Sequence, residues 1–344
     1  MAYTTINKSS DHFNTKLYTG NGSTQSITGI GFQPDWCWIK GMGSSAYDHQ
    51  LFDAVRGATK AIASNDTAAE ATTSNSLTSF DSDGFSLGDF ARTNSNGDNK
   101  VAWCWKAGNS SGSTNNDGST SSTVSANTTA GFSIVKYTNP SSGSPFTVGH
   151  GLGAAPKMII IKNLSASQTW GVYHASLGFG KYLRLDSNAA EASANLVTAT
   201  SSTTFSTYQD HHSTGNELIA YCFTEKTGYS RFGSYIGNGN ADGPMSFLGF
   251  KPAFVMIKRS IGGTDSWFIN DAARSTFNPS TKYMRPNENS AEGTSTAHKI
   301  DLLSNGFKVR STDTAYNTSG HTYTYYAFAK APLVGSNNIV ATAR

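Results

Sequence analysis

Apolar residues along the chain follow patterns that are typical of β-strands. Segments 36–40 (WCWIK) and 254–258 (FVMIK) are apolar at every position until a closing lysine. An uninterrupted apolar run of this length predicts a strand that is covered on both faces. A proline precedes each run, at Pro34 and Pro252, and proline suits the start of a strand but not its middle.

Period-two spacing and short turn signals complete the strand pattern. Trp103 and Trp105 stand two residues apart and are expected to share one face of a strand. Asp-Gly at 83–84 and Asn-Gly at 305–306 lie between apolar flanks, and these dipeptides are the strongest short signal for a β-hairpin. The one helical segment that the sequence suggests is a turn or two near residues 66–70. The chain is therefore predicted to be all-β.

Three blocks of sequence occur in the same order three times, which indicates internal repeats. The first block covers 29–40, 151–162 and 248–258. The middle block covers 52–60, 173–181 and 270–282, and the last block covers 101–106, 219–224 and 325–329. We predict three tandem β-sandwiches of about 100 residues each, of the jelly-roll or lectin-like kind. The predicted division is unit 1 at residues 1–108, a linker rich in Gly, Ser, Thr and Asn at 109–130, unit 2 at 131–229 and unit 3 at 230–344.

Residues at matching positions of the three units are predicted to close a hydrophobic interior. These structural anchors are Trp36, Trp38, Lys40, Trp103, Trp105, Lys162, Tyr221, Phe223, Lys258, Tyr326 and Phe328. Units 2 and 3 are joined by a short connection, so we expect them to pack together, with unit 1 more free behind its flexible linker. In the alternative arrangement, the linker crosses the surface of a compact body of three units.

The composition agrees with an all-β fold and argues against one class of partner. Only 37% of residues are hydrophobic and 14% are charged, whereas 12% are aromatic. Aromatic residues suit half-buried strands, and the abundant small polar residues suit turns. The net charge of +3 is spread along the chain without a run of Lys or Arg, so we expect no nucleic-acid partner.

The cysteines and the chain ends bear on the compartment. Cys37, Cys104 and Cys222 are too few and too scattered for a disulfide framework or a zinc site, and we interpret them as small buried hydrophobes. The first residues lack the apolar core of a signal peptide, and no apolar run approaches the roughly 20 residues that cross a bilayer. We expect a chain that is made in a cytoplasm and is not inserted into a membrane.

No set of catalytic residues is predicted from the sequence. It has no HExxH or Walker A pattern, and its histidines do not occupy matching positions of the units. The pair His211-His212 is a candidate metal site, with a surface loop as the simpler explanation. Segment 81–84 (DSDG) resembles part of a calcium loop, but a turn explains it better. We predict no cofactor, no metal and no enzymatic activity.

Charged residues that recur in all three units receive a structural interpretation. They are the glutamates Glu70, Glu191 and Glu292 and the lysines Lys60, Lys181 and Lys282. Chemistry usually needs one site rather than three, whereas each unit must build the same scaffold. A pair of acids for glycoside cleavage is the alternative interpretation of the glutamates.

Four aromatic residues lie outside the predicted strands and are candidates for stacking on the rings of a sugar ligand. They are Trp170, Trp267, Tyr47 and Tyr208. An exposed aromatic side chain presents a flat face to such a ligand, whereas ordinary half-buried loop aromatics explain the same positions without a ligand. These four residues are the predicted ligand-binding set.

The blocks described above resemble a family of repeat proteins that is common in marine tailed phages, including cyanophages and pelagiphages. The resemblance is carried by segments 18–22 (YTGNG), 31–40 (GFQPDWCWIK), 52–57 (FDAVRG), 79–85 (SFDSDGF), 103–108 (WCWKAG), 232–239 (FGSYIGNG) and 341–344 (ATAR). It covers nearly the whole chain. The resemblance implies a component of the virion and provides no catalytic or ligand residues to transfer.

From this resemblance we expect a virion structural protein that is made in the host cytoplasm and belongs to the tail, as a tail fibre or receptor-binding protein. The expected partners are other virion proteins, further copies of the chain in a homo-oligomer, and a glycan or protein of the host surface. The alternative is a head decoration protein or head fibre that binds the capsid shell. A polysaccharide depolymerase is the least favoured class.

Overall fold

The structure is a computed structural model that describes residues 4–43, 47–140, 145–208 and 213–333. Strands dominate these residues, which confirms the all-β prediction. The α-helices of the described part are α1 (Ala91–Asn94) and α2 (Thr314–Asn317), and a 3-10 turn covers Ser9–Asp11. None of these described helices is long and apolar enough to cross a membrane. The prediction of a helical turn at 66–70 is wrong, because these residues form a loop without helical structure. This loop contacts the next unit.

Unit 1 folds into two antiparallel sheets and a short hairpin. Its strands are β1 (Phe13–Thr19), β2 (Gln25–Thr28), β3 (Trp36–Gly41), β4 (Gln50–Asp53), β5 (Lys60–Ala61), β6 (Ala71–Thr72), β7 (Leu77–Asp81), β8 (Gly84–Leu87) and β9 (Asn99–Trp105). The larger sheet has the order β1-β9-β3-β4, and the smaller sheet has the order β2-β8-β7. The hairpin pairs β5 with β6.

Unit 2 has the same arrangement with two strands added in front. These strands are β10 (Ser113–Asn115) and β11 (Ser122–Asn127), followed by β12 (Phe132–Thr138), β13 (Phe146–Gly149), β14 (Met158–Asn163), β15 (Gly171–His174), β16 (Lys181–Arg184), β17 (Ala192–Ser193), β18 (Ala199–Thr200), β19 (Thr204–Thr207) and β20 (Glu217–Phe223). The larger sheet contains the order β12-β20-β14-β15, with β10 and β11 beyond β12 and with β16 and β17 beyond β15. The smaller sheet is β13-β19-β18.

Unit 3 repeats the order of unit 1. Its strands are β21 (Ser230–Ile236), β22 (Met245–Phe247), β23 (Phe250–Ile261), β24 (Phe268–Asp271), β25 (Lys282–Tyr283), β26 (Gly293–Thr294), β27 (Ile300–Leu303), β28 (Gly306–Val309) and β29 (Thr322–Pro332). The larger sheet is β21-β29-β23-β24, and the smaller is β22-β28-β27. The same strand order thus occurs three times, which supports the predicted repeats.

The larger sheet of unit 1 is buried on both faces. Cys37 and Ile39 of β3 point into a core that unit 1 closes with its own smaller sheet. The alternating residues Trp36 and Trp38 point the other way, into a hydrophobic cluster that contains residues of all three units. We call this shared cluster the central core. It explains why segment 36–40 is apolar at consecutive positions, as predicted for a strand that is covered twice.

Aromatic contacts join the three units in the central core. Trp36 of unit 1 stacks on Tyr221 of unit 2, with ring centroids 4.4 Å apart. Phe223 of unit 2 lies 5.8 Å from Phe328 of unit 3, and Trp105 of unit 1 lies 5.6 Å from the same ring. Aromatic pairs at these distances add stability beyond the area that they bury. Each unit therefore touches both others through residues at matching strand positions.

The predicted structural anchors are all buried, at 2% exposure or less. The aromatic anchors face the central core between units, however, and not the interior of each separate sandwich. The expected freedom of unit 1 is wrong, because its aromatic residues pack against both other units. The prediction that 109–130 is a flexible linker is also wrong, since β11 pairs along its whole length with β12. The compact alternative describes the structure.

Trp103→Ala and Trp105→Ala are expected to be structural mutants, because each removes an aromatic ring from the central core. At least one should lower the free energy of unfolding by about 3–5 kcal/mol in a denaturant titration. Phe277→Ala is the control, because that side chain is 80% exposed and its loss should change stability by about 0.5 kcal/mol or less. Unchanged unfolding in both tryptophan variants would refute the assignment of the core.

Candidate functional site

Three loops of equal length connect the units at matching positions. They are residues 63–70 (ASNDTAAE), 184–191 (RLDSNAAE) and 285–292 (RPNENSAE), and we call them the junction loops. Each begins at or just after a short strand and ends at one of the recurring glutamates. The first, fifth and last residues of each loop form hydrogen bonds with a neighbouring unit.

The carbonyl of the first loop residue accepts a hydrogen bond from a buried ring in the next unit. The Nε1–H of Trp170 donates to Ala63 O at 2.9 Å, that of Trp267 donates to Arg184 O at 2.8 Å, and the ring of His49 contacts Arg285 O at 3.1 Å. Each ring residue immediately precedes the fourth strand of the larger sheet of its unit. The three positions are therefore equivalent.

This arrangement corrects the predicted ligand-binding set. Trp170 and Trp267 are 0% and 3% exposed, so neither ring is available to stack on a sugar. Tyr47 and Tyr208 are half-buried. The sequence did not predict that His49 occupies the same position as the two tryptophans. Each of the three residues directly precedes a strand of four residues.

The carbonyl of the fifth loop residue accepts a hydrogen bond from a buried lysine. Lys40 Nζ donates to Asn289 O at 3.1 Å, Lys162 Nζ to Thr67 O at 2.6 Å, and Lys258 Nζ to Asn188 O at 3.1 Å. All three lysine residues are 0% exposed. Each lysine thus fixes a loop that belongs to another unit.

The last loop residue bonds to the neighbouring unit through its backbone. The N–H of Glu70 donates to Leu164 O at 3.0 Å, that of Glu191 to Ser260 O at 3.0 Å, and that of Glu292 to Met42 O at 3.3 Å. Each acceptor stands two residues beyond the buried lysine of its unit. The direction is the same at every junction, from unit 1 to unit 2, from unit 2 to unit 3 and from unit 3 back to unit 1. The junction loops therefore close the three units into a ring.

Burial controls the electrostatics of the three lysines. It lowers the pKa of Lys40, Lys162 and Lys258 from 10.5 to about 8 in each case. An ammonium group withdrawn from water needs other dipoles to replace hydration, and the loop carbonyls supply them. At pH 7 the three groups remain charged and hold the loops by charge-assisted hydrogen bonds.

Buried ion pairs lie beside two of the junctions. In unit 1 the guanidinium of Arg56 pairs with Asp53 and also reaches Glu70 at 3.2 Å. The hydroxyl of Tyr221 in unit 2 donates to Asp53 Oδ2 at 2.8 Å. Desolvated charges of this kind are stable only when both partners and their hydrogen bonds are in place. Glu70, a recurring glutamate, therefore belongs to the scaffold.

Unit 3 has the same ion pair, and unit 2 has a neutral substitute. Asp271 pairs with Arg274 and accepts a hydrogen bond from Trp103 Nε1 of unit 1 at 3.1 Å. Unit 2 has His174 in place of the aspartate, and its ring bonds to Tyr325 O of unit 3 at 3.1 Å. Burial lowers the pKa of His174 to about 4, so the imidazole is neutral at pH 7.

The remaining candidates for chemistry are placed as follows. Asp83 closes the hairpin between β7 and β8, as the turn interpretation predicted, and its carboxylate accepts hydrogen bonds from the N–H groups of Gly29 and Gly31. The pair His211-His212 lies outside the described residues. Within the described ranges, no three His, Cys, Asp or Glu side chains come together as a metal site.

A polar cleft of about 460 Å³ opens between the junction loops of units 1 and 3. We call it the loop cleft, and it is lined by Asp48, Asn65, Asp66, Asn287, Glu288, Asn289 and Ser290. Asp48 is held by Arg92 at 2.7 Å and by Asn65 at 2.7 Å, and Glu288 is held by Arg285 at 2.9 Å. Polar groups that are fixed before binding suit a ligand rich in hydroxyl groups. The loop cleft is therefore the candidate contact site.

A family model described as "Domain of unknown function (DUF7483)" matches residues 8–332. The chain therefore belongs to this family. The single match runs through all three units and through the segment between units 1 and 2. No curated protein and no solved structure matches the chain.

Tyr221→Phe tests the bond between units 1 and 2. Removing the hydroxyl leaves a buried oxygen of Asp53 without this donor, so the free energy of unfolding should fall by about 1–3 kcal/mol. Tyr326→Phe is the matched control, because the hydroxyl of Tyr326 at the equivalent position donates to the weak acceptor Met256 Sδ. Equal effects in the two variants would contradict the role of the Asp53 bond.

The buried His174 predicts loss of stability in acid. Its pKa is lower in the folded chain than in the unfolded one, so the unfolded chain binds the extra proton first. The stability is complete above about pH 6.5 and falls as the pH drops towards 4, by up to about 3 kcal/mol from this group. Denaturant titrations at several pH values should show a shallower decline for His174→Gln than for the control His321→Gln. Parallel declines would count against this assignment.

Proposed function

We propose that the chain is a structural and binding protein of a tailed-phage virion, exposed on the particle as part of the tail and in contact with the host surface. The ring of junction loops is the observation that supports a structural role. Three lysines that recur at matching positions, Lys40, Lys162 and Lys258, each bond to a neighbouring unit. A repeated set of this kind serves assembly of the body rather than a reaction.

The resemblance to repeat proteins of marine tailed phages supports the virion location. It is carried by the segments that build the larger sheets and the ring, such as 31–40, 52–57 and 103–108. Most residues of these segments are buried, and the loops between them lie at the surface. A packed body that presents surface loops suits a protein that contacts a partner outside a cell.

The loop cleft is the proposed contact point with a glycan or a protein of the host surface. Its carboxylate and amide groups are held by neighbouring side chains, so binding loses little conformational entropy there. Single contacts of this kind are weak. A homo-oligomer of the chain multiplies them into avidity, provided that several clefts reach the surface together.

A head decoration protein or head fibre is the second candidate, and the exposed face of the smaller sheet of unit 3 favours it. Met245 and Phe247 of β22 are 45% and 55% exposed. The matching outward positions of β2 in unit 1 are Ser26 and Thr28. Exposed apolar residues that replace polar ones suit contact with another protein, such as a capsomer.

Localisation on the particle distinguishes the two candidates. Antibody against the purified chain, imaged on intact particles by electron microscopy with gold labelling, should mark the tail. Label restricted to the head would support decoration of the shell, and unlabelled particles from which the chain is also absent by mass spectrometry would refute the virion proposal.

Competition for host cells tests the contact site. Cells incubated with the purified chain should adsorb the phage more slowly, and the combined variant Asp48→Asn with Asp66→Asn should lose most of this effect. Asp11→Asn is the control, since Asp11 lies away from the cleft in the 3-10 turn and pairs with Lys8. Equal competition by all forms would exclude the loop cleft. New reducing ends in host polysaccharide treated with the chain would instead indicate a depolymerase.

A further inference from the structure

Two cysteines face each other inside unit 1. The register of β3 and β9 pairs Cys37 directly with Cys104. Their sulfur atoms are 3.7 Å apart, and both residues are fully buried in the core that unit 1 closes for itself. The structure holds them as free thiols.

The other units provide an internal comparison for this pair. The same cross-strand position holds Ile159 opposite Cys222 in unit 2, and Val255 opposite Ala327 in unit 3. Among the three units, unit 1 thus places two thiols across this pair of strands. Cys222 is also fully buried but has no thiol opposite it, so it serves as an internal control.

Backbone geometry at the pair suits a covalent bond. Directly opposed residues of antiparallel strands have Cα atoms about 4.5–5.5 Å apart, and disulfides span Cα distances of about 4.4–6.8 Å. The sulfur atoms, now 3.7 Å apart, must approach to about 2.05 Å. We propose that Cys37 and Cys104 form a cross-strand disulfide when the chain folds in the presence of a small-molecule disulfide such as oxidised glutathione.

The exchange balances in two steps. The thiolate of one cysteine attacks oxidised glutathione, whose S–S bond breaks and releases one glutathione thiolate, and a mixed disulfide forms. The thiolate of the other cysteine then attacks the protein sulfur of the mixed disulfide and releases the second glutathione. Two protein thiols are oxidised, one glutathione disulfide is reduced to two thiols, and the protons pass to the departing glutathione.

Burial determines the stage of folding at which the cysteines can react with oxidised glutathione. It raises the pKa of Cys37 well above its ordinary value, so the folded chain holds little of the reactive thiolate. Oxidised glutathione also has no access to a fully buried sulfur. The exchange therefore takes place while the chain folds, before the pairing of β3 with β9 buries the two thiols. A chain that folds under reducing conditions keeps its thiols.

Refolding in two redox conditions tests the proposal. The denatured, reduced chain is refolded with a mixture of oxidised and reduced glutathione, or with reduced glutathione alone, and its thiols are then counted in denaturant. With the oxidant we expect one free thiol, that of Cys222, a mass lower by about 2 Da and a crosslinked peptide that contains both Cys37 and Cys104. Without it, all three thiols should remain.

Variants copied from unit 3 serve as controls that preserve the core. Cys104→Ala and Cys222→Ala both reproduce Ala327, the residue of unit 3 at the same position. After oxidative refolding, Cys104→Ala should keep two free thiols and Cys222→Ala should keep none. Three free thiols in the oxidised, refolded chain would overturn the proposal, and so would a crosslink that includes Cys222. The result is independent of the virion proposal, because it involves the chain alone.

Discussion

Burial of the second face of each larger sheet is the constraint on which the rest of the structure depends. A sandwich closed by its own smaller sheet would leave residues such as Trp36, Phe223 and Phe328 exposed to water. Apolar surface of that extent is unstable in solution unless another surface covers it. Here the three units cover one another, and each supplies aromatic rings to the central core.

The charged groups follow from this packing. Once the sheets meet, the strand ends that carry Lys40, Lys162 and Lys258 are withdrawn from water, and each ammonium group finds a carbonyl of a junction loop. Because these three lysines are occupied in this way, the proposed recognition of a host surface is assigned to features that differ between units. The loop cleft and the smaller sheet of unit 3 are two such features.

Much of the fold was accessible from the sequence, and much of the site was not. Local patterns predicted the strands, the hairpin at 83–84 and the burial of Trp103, because alternation and turn chemistry depend on neighbouring residues. The relation of the units was not predictable in the same way. Nothing local distinguishes a tryptophan that fills its own sandwich from one that faces another unit. For the same reason Trp170 was predicted to be exposed, although its partner, Ala63 O, lies far away in sequence. The segment at 122–127 has the composition of a linker, yet pairing with β12 overrides that preference.

The three units form one body through the central core and the ring of junction loops. Equilibrium unfolding in guanidinium chloride tests it most directly, with tryptophan fluorescence and far-ultraviolet circular dichroism recorded on the same samples. Four of the six tryptophans belong to unit 1, so fluorescence reports mainly on that unit, while circular dichroism reports on all strands. A single transition with coincident midpoints is predicted. Separate transitions, with unit 1 unfolding apart from the rest, would contradict the account.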